Sequence, residues 1–223
     1  MLDKIICALD TGDLEVATKT VQKLSGHIKH FKIGHSLTLS HSLSVIPKLQ
    51  DAGAEKIFLD LKFHDIPNTV ALAVKEASKY GVWMTTLHTT GGRDMMKAAS
   101  EVSDRPLLMG VSVLTSLDDT SLQEVGISRS VNDQMLEQSA LAVECGIDGL
   151  ISSPQEITIL RERLGANPLI VTPGIRLSGG ATHDQKRIAT PSQAISDGAS
   201  YLVIGRALSE AEDVDTVIAQ LSR

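Results

Sequence analysis

Short apolar runs rich in β-formers alternate with longer amphipathic stretches along the chain. The runs fall at Lys4 to Leu9, Phe31 to Ile33, Lys56 to Leu61, Met84 to Leu87, Leu107 to Val113, Gly149 to Ile151, Leu169 to Val171 and Tyr201 to Ile204. Their length and content predict eight strands. Helical periodicity marks Asp13 to Leu24, Thr69 to Tyr80, Val131 to Cys145 and Pro154 to Leu164, followed by glycine stops at Gly26, Gly81, Gly146 and Gly165. Strand and helix in strict alternation imply a parallel sheet, and strands that are apolar almost throughout imply helices covering its outer face. Eight such units close into a (β/α)8 TIM barrel. A doubly wound open sheet would use fewer strands and would usually carry a glycine-rich turn after the first, which is absent here. No linker, low-complexity segment or repeat breaks the alternation, so residues 1–223 read as one barrel domain. The pattern is weakest over His35 to Gln50, where Pro47 interrupts it.

Composition narrows the class further. With 223 residues and 42% apolar side chains, the chain can bury the core that a barrel requires. A formal net charge of -6 provides no basic field for a nucleic-acid backbone or an anionic membrane surface. Cys7 and Cys145 suggest neither a disulfide framework nor a thiolate metal site, and both read as reduced and buried. The opening residues MLDKIICALDTGDLEV reach acidic positions too early for a signal peptide. Nor does any apolar stretch approach the ~20 residues of a membrane span. A soluble cytoplasmic protein without nucleic-acid or membrane partners is therefore expected.

In such barrels chemistry gathers at the C-terminal ends of the strands. The first run closes on Asp10, the second carries Lys32, and the third runs through Asp60 and Lys62 into Phe63-His64-Asp65-Ile66-Pro67-Asn68-Thr69. Alone, Asp10 also reads as a turn residue before Gly12, and Lys32 as a snorkelling lysine. Asp60 and Lys62 stand two apart, and residues two apart in a strand share a face, so both would point into the barrel mouth. Burying one such ion unpaired costs several kcal/mol, which an alternating array of Lys32, Asp60 and Lys62 avoids. Arrays of this kind tune proton transfer, although a structural salt-bridge cluster would show the same residues. A second signal lies at Thr172-Pro173-Gly174-Ile175-Arg176-Leu177-Ser178-Gly179-Gly180 and at Gly205-Arg206-Ala207-Leu208, after strands seven and eight. Phosphate sites in these barrels form there: glycine admits backbone N–H donors, and Arg176 or Arg206 adds bidentate charge. Gln185 supplies a further donor from the same segment. Either loop alone would also pass for a surface turn with solvated arginines.

Taken together, Asp60-Leu61-Lys62-Phe63-His64-Asp65-Ile66-Pro67-Asn68-Thr69, Ala8-Leu9-Asp10, Lys32-Ile33-Gly34, Thr172-Pro173-Gly174-Ile175-Arg176 and Ile204-Gly205-Arg206 resemble the orotidine 5'-phosphate decarboxylase family. The resemblance runs from Asp10 to Arg206. Its D-x-K-x-x-D core is shared with related phosphosugar decarboxylases and synthases, and Ile66-Pro67-x-Thr69 favours the nucleotide enzymes. It implies decarboxylation of orotidine 5'-phosphate to uridine 5'-phosphate (UMP), the last step of UMP synthesis, with no cofactor. Lys62 would protonate C6 of the pyrimidine and Asp60 would stand beside the departing carboxylate, with Lys32 and Asp65 holding both. Asp10 and Thr69 would bind ribose, Thr115 and Ser116 the pyrimidine, and Arg176, Gln185, Gly205 and Arg206 the phosphate, with Ile66 among the substrate contacts. The resemblance also implies a homodimer in which Asp65 and Thr69 complete the neighbouring subunit's site.

Two rivals remain at this level: a magnesium-dependent enzyme acting on a phosphorylated keto-sugar, and a non-catalytic phosphate-ligand sensor. The intact Lys32, Asp60, Lys62, Asp65 set argues against the sensor. The seven histidines show no ligand spacing on one element, and His64 or His88 at a strand end reads as hydrogen-bonded structure, so no metal is assigned.

Overall fold

The computed structural model describes residues 1–176 and 189–221. Eight strands, β1 (Ile5–Leu9), β2 (His30–Ile33), β3 (Lys56–Phe63), β4 (Met84–His88), β5 (Leu107–Val111), β6 (Gly149–Ile151), β7 (Leu169–Thr172) and β8 (Tyr201–Ile204), form a closed parallel barrel in chain order. Closure is made by β8 on β1, with Leu202 opposite Ile5 and Ile204 opposite Cys7. The helices that return the chain between strands include α1 (Leu14–Leu24), α2 (His35–His41), α3 (Val45–Asp51), α4 (Pro67–Lys79), α5 (Gly92–Ser100), α6 (Asp119–Glu124), α7 (Val131–Glu144), α8 (Ile157–Leu164) and α9 (Pro191–Ser196), and α10 (Arg206–Ser209) and α11 (Val214–Leu221) follow β8.

Period-2 alternation divides each strand between two cores. Ile5, Cys7 and Leu9 join the large layer between sheet and helices, whereas Ile6 packs with Phe58, Met84, Met109 and Val171 in a smaller separate cluster. Because both faces of the sheet are covered, the strands are apolar on both sides, as the expected barrel requires. Below the smaller cluster, His30, Trp83 and Tyr201 pack against one another in tilted and edge-on contacts, with ring centroids 4.6–5.6 Å apart. Lys56 Nζ lies 5.3 Å from the Trp83 ring centre. Aromatic packing thus fills the N-terminal end of the barrel, opposite the end where the candidate chemistry lies.

Local differences from the sequence reading have local causes. The uncertain stretch His35 to Gln50 is two helices, broken where Ser42 takes φ 56°. Pro47 is the third residue of α3, in the first turn, where a missing N–H removes no helical hydrogen bond. Helix α4 begins at Pro67 rather than Thr69, and the proline's fixed φ suits that first position. Gly81, Gly146 and Gly165 end helices with φ of 67°, 83° and 76°, while Gly26 simply follows the C-cap Ser25. Both cysteines are free and buried, and burial pushes the Cys7 thiol up to about 12.

Candidate active site

The C-terminal ends of the strands open onto a cavity of about 1030 Å³. Asp10 at the end of β1, Lys32 on β2 and Asp60 and Lys62 on β3 line it together with Thr115, Arg176, Gly205 and Arg206. Four charges form a continuous chain at its base. Lys32 Nζ lies 2.9 Å from Asp10 Oδ1 and 3.6 Å from Asp60 Oδ2, and Lys62 Nζ lies 2.8 Å from Asp60 Oδ1. The side chains of Lys32 and Asp60 are only 12% and 15% exposed, so the attraction between them is screened far less than in a surface ion pair.

Burial by itself would raise the Asp60 carboxyl. The Lys32 and Lys62 ammoniums, with hydrogen bonds from Lys62 and Thr86, outweigh it and hold Asp60 below the usual carboxylate range. Burial likewise acts to lower Lys32, but Asp60 and Asp10 reverse the sign and raise it. Asp60 is therefore held as a carboxylate and Lys32 as an ammonium near neutrality, with Asp60 lying between the two lysines. Near it, His64 and His88 have ring centroids 5.3 Å apart; burial, then His64 and Lys62, hold His88 below its ordinary value.

Asp60 and Lys62 share the cavity for a reason other than simple alternation. Between Leu59 opposite Thr85 and Phe63 opposite Leu87, β3 advances four residues while β4 advances two. That bulge places Lys62 at φ 52°, in the left-handed region, which costs a side-chain-bearing residue about 1–2 kcal/mol. Its N–H donates to Thr86 Oγ1 at 2.8 Å, and the same hydroxyl donates to Asp60 Oδ1 at 2.9 Å. Sequence reasoning missed Thr86. The available signal was the pair Thr85-Thr86 inside an apolar strand, because two buried hydroxyls need partners. Thr85 meets that need by donating to Leu59 O at 2.8 Å.

On the far side of the cavity, Gly174 at φ 82° turns the chain after β7, and Arg176 Nη1 donates to Ile175 O at 3.1 Å. The Arg176 Nε is buried and has no hydrogen-bond partner among the described residues. Gly205 precedes α10, which opens on the exposed Arg206. Gln185 lies outside the described residues. Asp65, Ile66, Thr69 and Ser116 are exposed and do not line this cavity. The Asp65 carboxylate accepts the Ile66 N–H at 2.6 Å rather than meeting Lys62 within its own chain. Among the described residues, no group of three or more His, Cys, Asp or Glu side chains is placed to hold a metal ion, and no helix is long and apolar enough to cross a membrane.

A closed parallel barrel with an ion array at one end of its mouth and glycine–arginine loops at the other is the architecture of a (β/α)8 barrel enzyme. Residues 3–221 match the orotidine 5'-phosphate decarboxylase / HUMPS family, and the chain belongs to it. A protein of Pseudoalteromonas translucida named orotidine 5'-phosphate decarboxylase is 43% identical over 225 residues, covering 99% of this chain and 96% of that one. The crystal structure of orotidine 5'-phosphate decarboxylase from Lactobacillus acidophilus superimposes with a TM-score of 0.86 at 35% identity, covering 99% of this chain and 97% of that one. That of the Pyrococcus horikoshii decarboxylase gives a TM-score of 0.81 at 25% identity over 98% and 99% of the two chains.

Proposed function

We propose that this protein decarboxylates orotidine 5'-phosphate to UMP without a cofactor, as a cytoplasmic step of pyrimidine biosynthesis, with Lys62 delivering the proton to C6. The observation that carries the reading is the Lys32–Asp60–Lys62 array at the base of a cavity whose other side is lined by Arg176, Gly205 and Arg206. A buried Arg176 Nε without a partner among the described residues favours an anionic group there, and the phosphate of the nucleotide supplies one.

Departure of carbon dioxide from C6 leaves an electron pair in the plane of the ring, where the π-system cannot spread it. The protein has to stabilise that localised charge electrostatically. In this reading the Lys62 ammonium provides the stabilising charge, then the proton. Asp60 pairs with it and aims it, and Lys32 holds Asp60 from the other side. Asp60 would also repel the substrate carboxylate, by ~4 kcal/mol for charges 4 Å apart at an effective dielectric of 20. Enzymatic rate enhancements correspond to ~8–23 kcal/mol, so stabilisation of the transition state by Lys62 must carry more than ground-state repulsion does. Asp10 would hold a ribose hydroxyl, and Thr115 and Ser116 the pyrimidine. Arg176, Gln185, Gly205 and Arg206 would grip the phosphate. The exposed Asp65, Ile66 and Thr69 would meet the substrate of a neighbouring subunit in a homodimer.

The test is the ultraviolet absorbance of orotidine 5'-phosphate mixed with the purified protein in excess chelator. Loss of the substrate band with formation of UMP is expected, and Lys62→Ala should abolish it. Turnover of the nucleotide lacking its phosphate should be much slower. No spectral change, with chelator or with added magnesium, would overturn the nucleotide reading in favour of a phosphosugar substrate.

A further inference from the structure

We propose that Thr86 is a positioning residue for the decarboxylation, tying the backbone of Lys62 and the carboxylate of Asp60 into one fixed unit. The inference rests on the decarboxylase reading above. Thr86 is fully buried and does not line the cavity, so it acts only through the two residues it bonds.

The geometry separates Thr86 from an ordinary buried threonine. Its neighbour Thr85 spends its hydroxyl on a backbone carbonyl of the adjoining strand, a local repair. Thr86 uses both sides of its hydroxyl, accepting the Lys62 N–H at 2.8 Å and donating its single proton to Asp60 Oδ1 at 2.9 Å. At Lys62 the bulge breaks the regular ladder between β3 and β4 and the backbone enters the left-handed region. Its N–H would otherwise need a strand carbonyl. The side chain of Thr86 replaces that acceptor and so supports a backbone conformation that is unfavourable for a lysine. Asp60 Oδ1 meanwhile receives both the Lys62 ammonium, at 2.8 Å, and the Thr86 hydroxyl, while Oδ2 faces Lys32. One hydroxyl thus sets where the lysine leaves the strand and which way the carboxylate is turned. A proton donor and a carboxylate that must address the same carbon of the substrate require that relative placement.

Thr86→Val keeps the shape and removes both hydrogen bonds, whereas Thr86→Ser keeps the hydroxyl and loses a methyl group. In the valine variant kcat is expected to fall about 10- to 100-fold, the size of one hydrogen bond to a charged group, with KM changed by no more than about threefold because the phosphate grip is untouched. The acid limb of kcat should move to higher pH, and the serine variant should recover most of the loss. Without substrate, the 13C chemical shift of the Asp60 carboxyl followed against pH should show its midpoint raised in the valine variant and not in the serine variant. Wild-type kcat and an unmoved Asp60 titration in Thr86→Val would overturn the proposal. So would a serine variant as impaired as the valine one, since packing would then be the cause. If the wild-type protein does not turn over the nucleotide, the decarboxylase reading falls by itself, and the Asp60 titration still decides whether Thr86 holds the carboxylate.

Discussion

Asp60 receives two ammoniums and a hydroxyl, and at residue scale this explains both its charge and its contribution to stability. Its carboxyl is held below the unfolded value of about 3.9, so folding favours the ionised form. The corresponding stability is present above that unfolded pKa and is lost as pH falls through the depressed folded value. Asp60→Asn removes the pH-dependent part. The gap in melting temperature between the wild type and this variant is therefore expected to be constant from neutrality down to about pH 5 and to narrow as the pH falls below about 4. Thermal unfolding followed across that range by circular dichroism tests it, and a gap that stays constant into strong acid would mean that Asp60 is not held in its charged form by the array. Lys32 has the opposite sign: its raised value keeps its charge, and the stability that depends on it, through the neutral range and loses both only in strong alkali.

At the scale of elements, β3 and β6 are the strands in which regular geometry gives way to a specific demand. In β3 the demand is for a lysine and a carboxylate side by side, and the bulge supplies it. In β6 it is space: a Cβ on Gly149 would stand 2.3 Å from Leu169 O and 2.4 Å from Met109 Cε. The strand must come this close to β7 for Met109 to fill the barrel interior. Gly149→Ala is expected to cost about 1–3 kcal/mol of stability through overpacking, lowering the melting temperature by roughly 2–12 °C for a domain of this size. Calorimetry checks it; an unchanged midpoint would mean that the interior yields more easily than close packing allows. These two strands also mark what the sequence could convey. Gly149 to Ile151 was legible as a strand because Gly-Leu-Ile lies between helical segments. The bulge was not, since Asp-x-Lys reads equally well as plain alternation and only pairing with β4 reveals the two extra residues. Thr86 was hidden for the same reason: its partners are 24 and 26 residues away. Pro47 misled because periodicity alone cannot say whether a proline interrupts one helix or sits in the first turn of another, and here it sits in the first turn of α3.

For the whole molecule, the barrel brings together at one mouth residues spread from Asp10 to Arg206, which is why the alternation of strands and the charged strand ends led to most of the candidate residues that line one cavity. What a single chain leaves outside that mouth is as informative. Asp65, Ile66 and Thr69 follow directly on the array, yet they face solvent, with Ile66 67% exposed. An aspartate three residues from Lys62 in sequence but turned away from it is placed where a second chain could receive it. In a two-fold dimer each site would then combine Lys62 of one subunit with Asp65 of the other. Lys62→Ala and Asp65→Ala should each be nearly inactive as pure dimers. When the two are unfolded together and refolded in equal amounts, half of the dimers are mixed, and each mixed dimer contains one site with both residues intact and one with neither. Activity should therefore return to about a quarter of the wild-type value, as two-fold symmetry and random pairing dictate. Recovery in a steady-state assay would require residues from both chains in each site. No recovery, with mixed dimers demonstrated by mass spectrometry, would place Lys62 and Asp65 in the same subunit's site and require the exposed loop to fold back over its own barrel mouth.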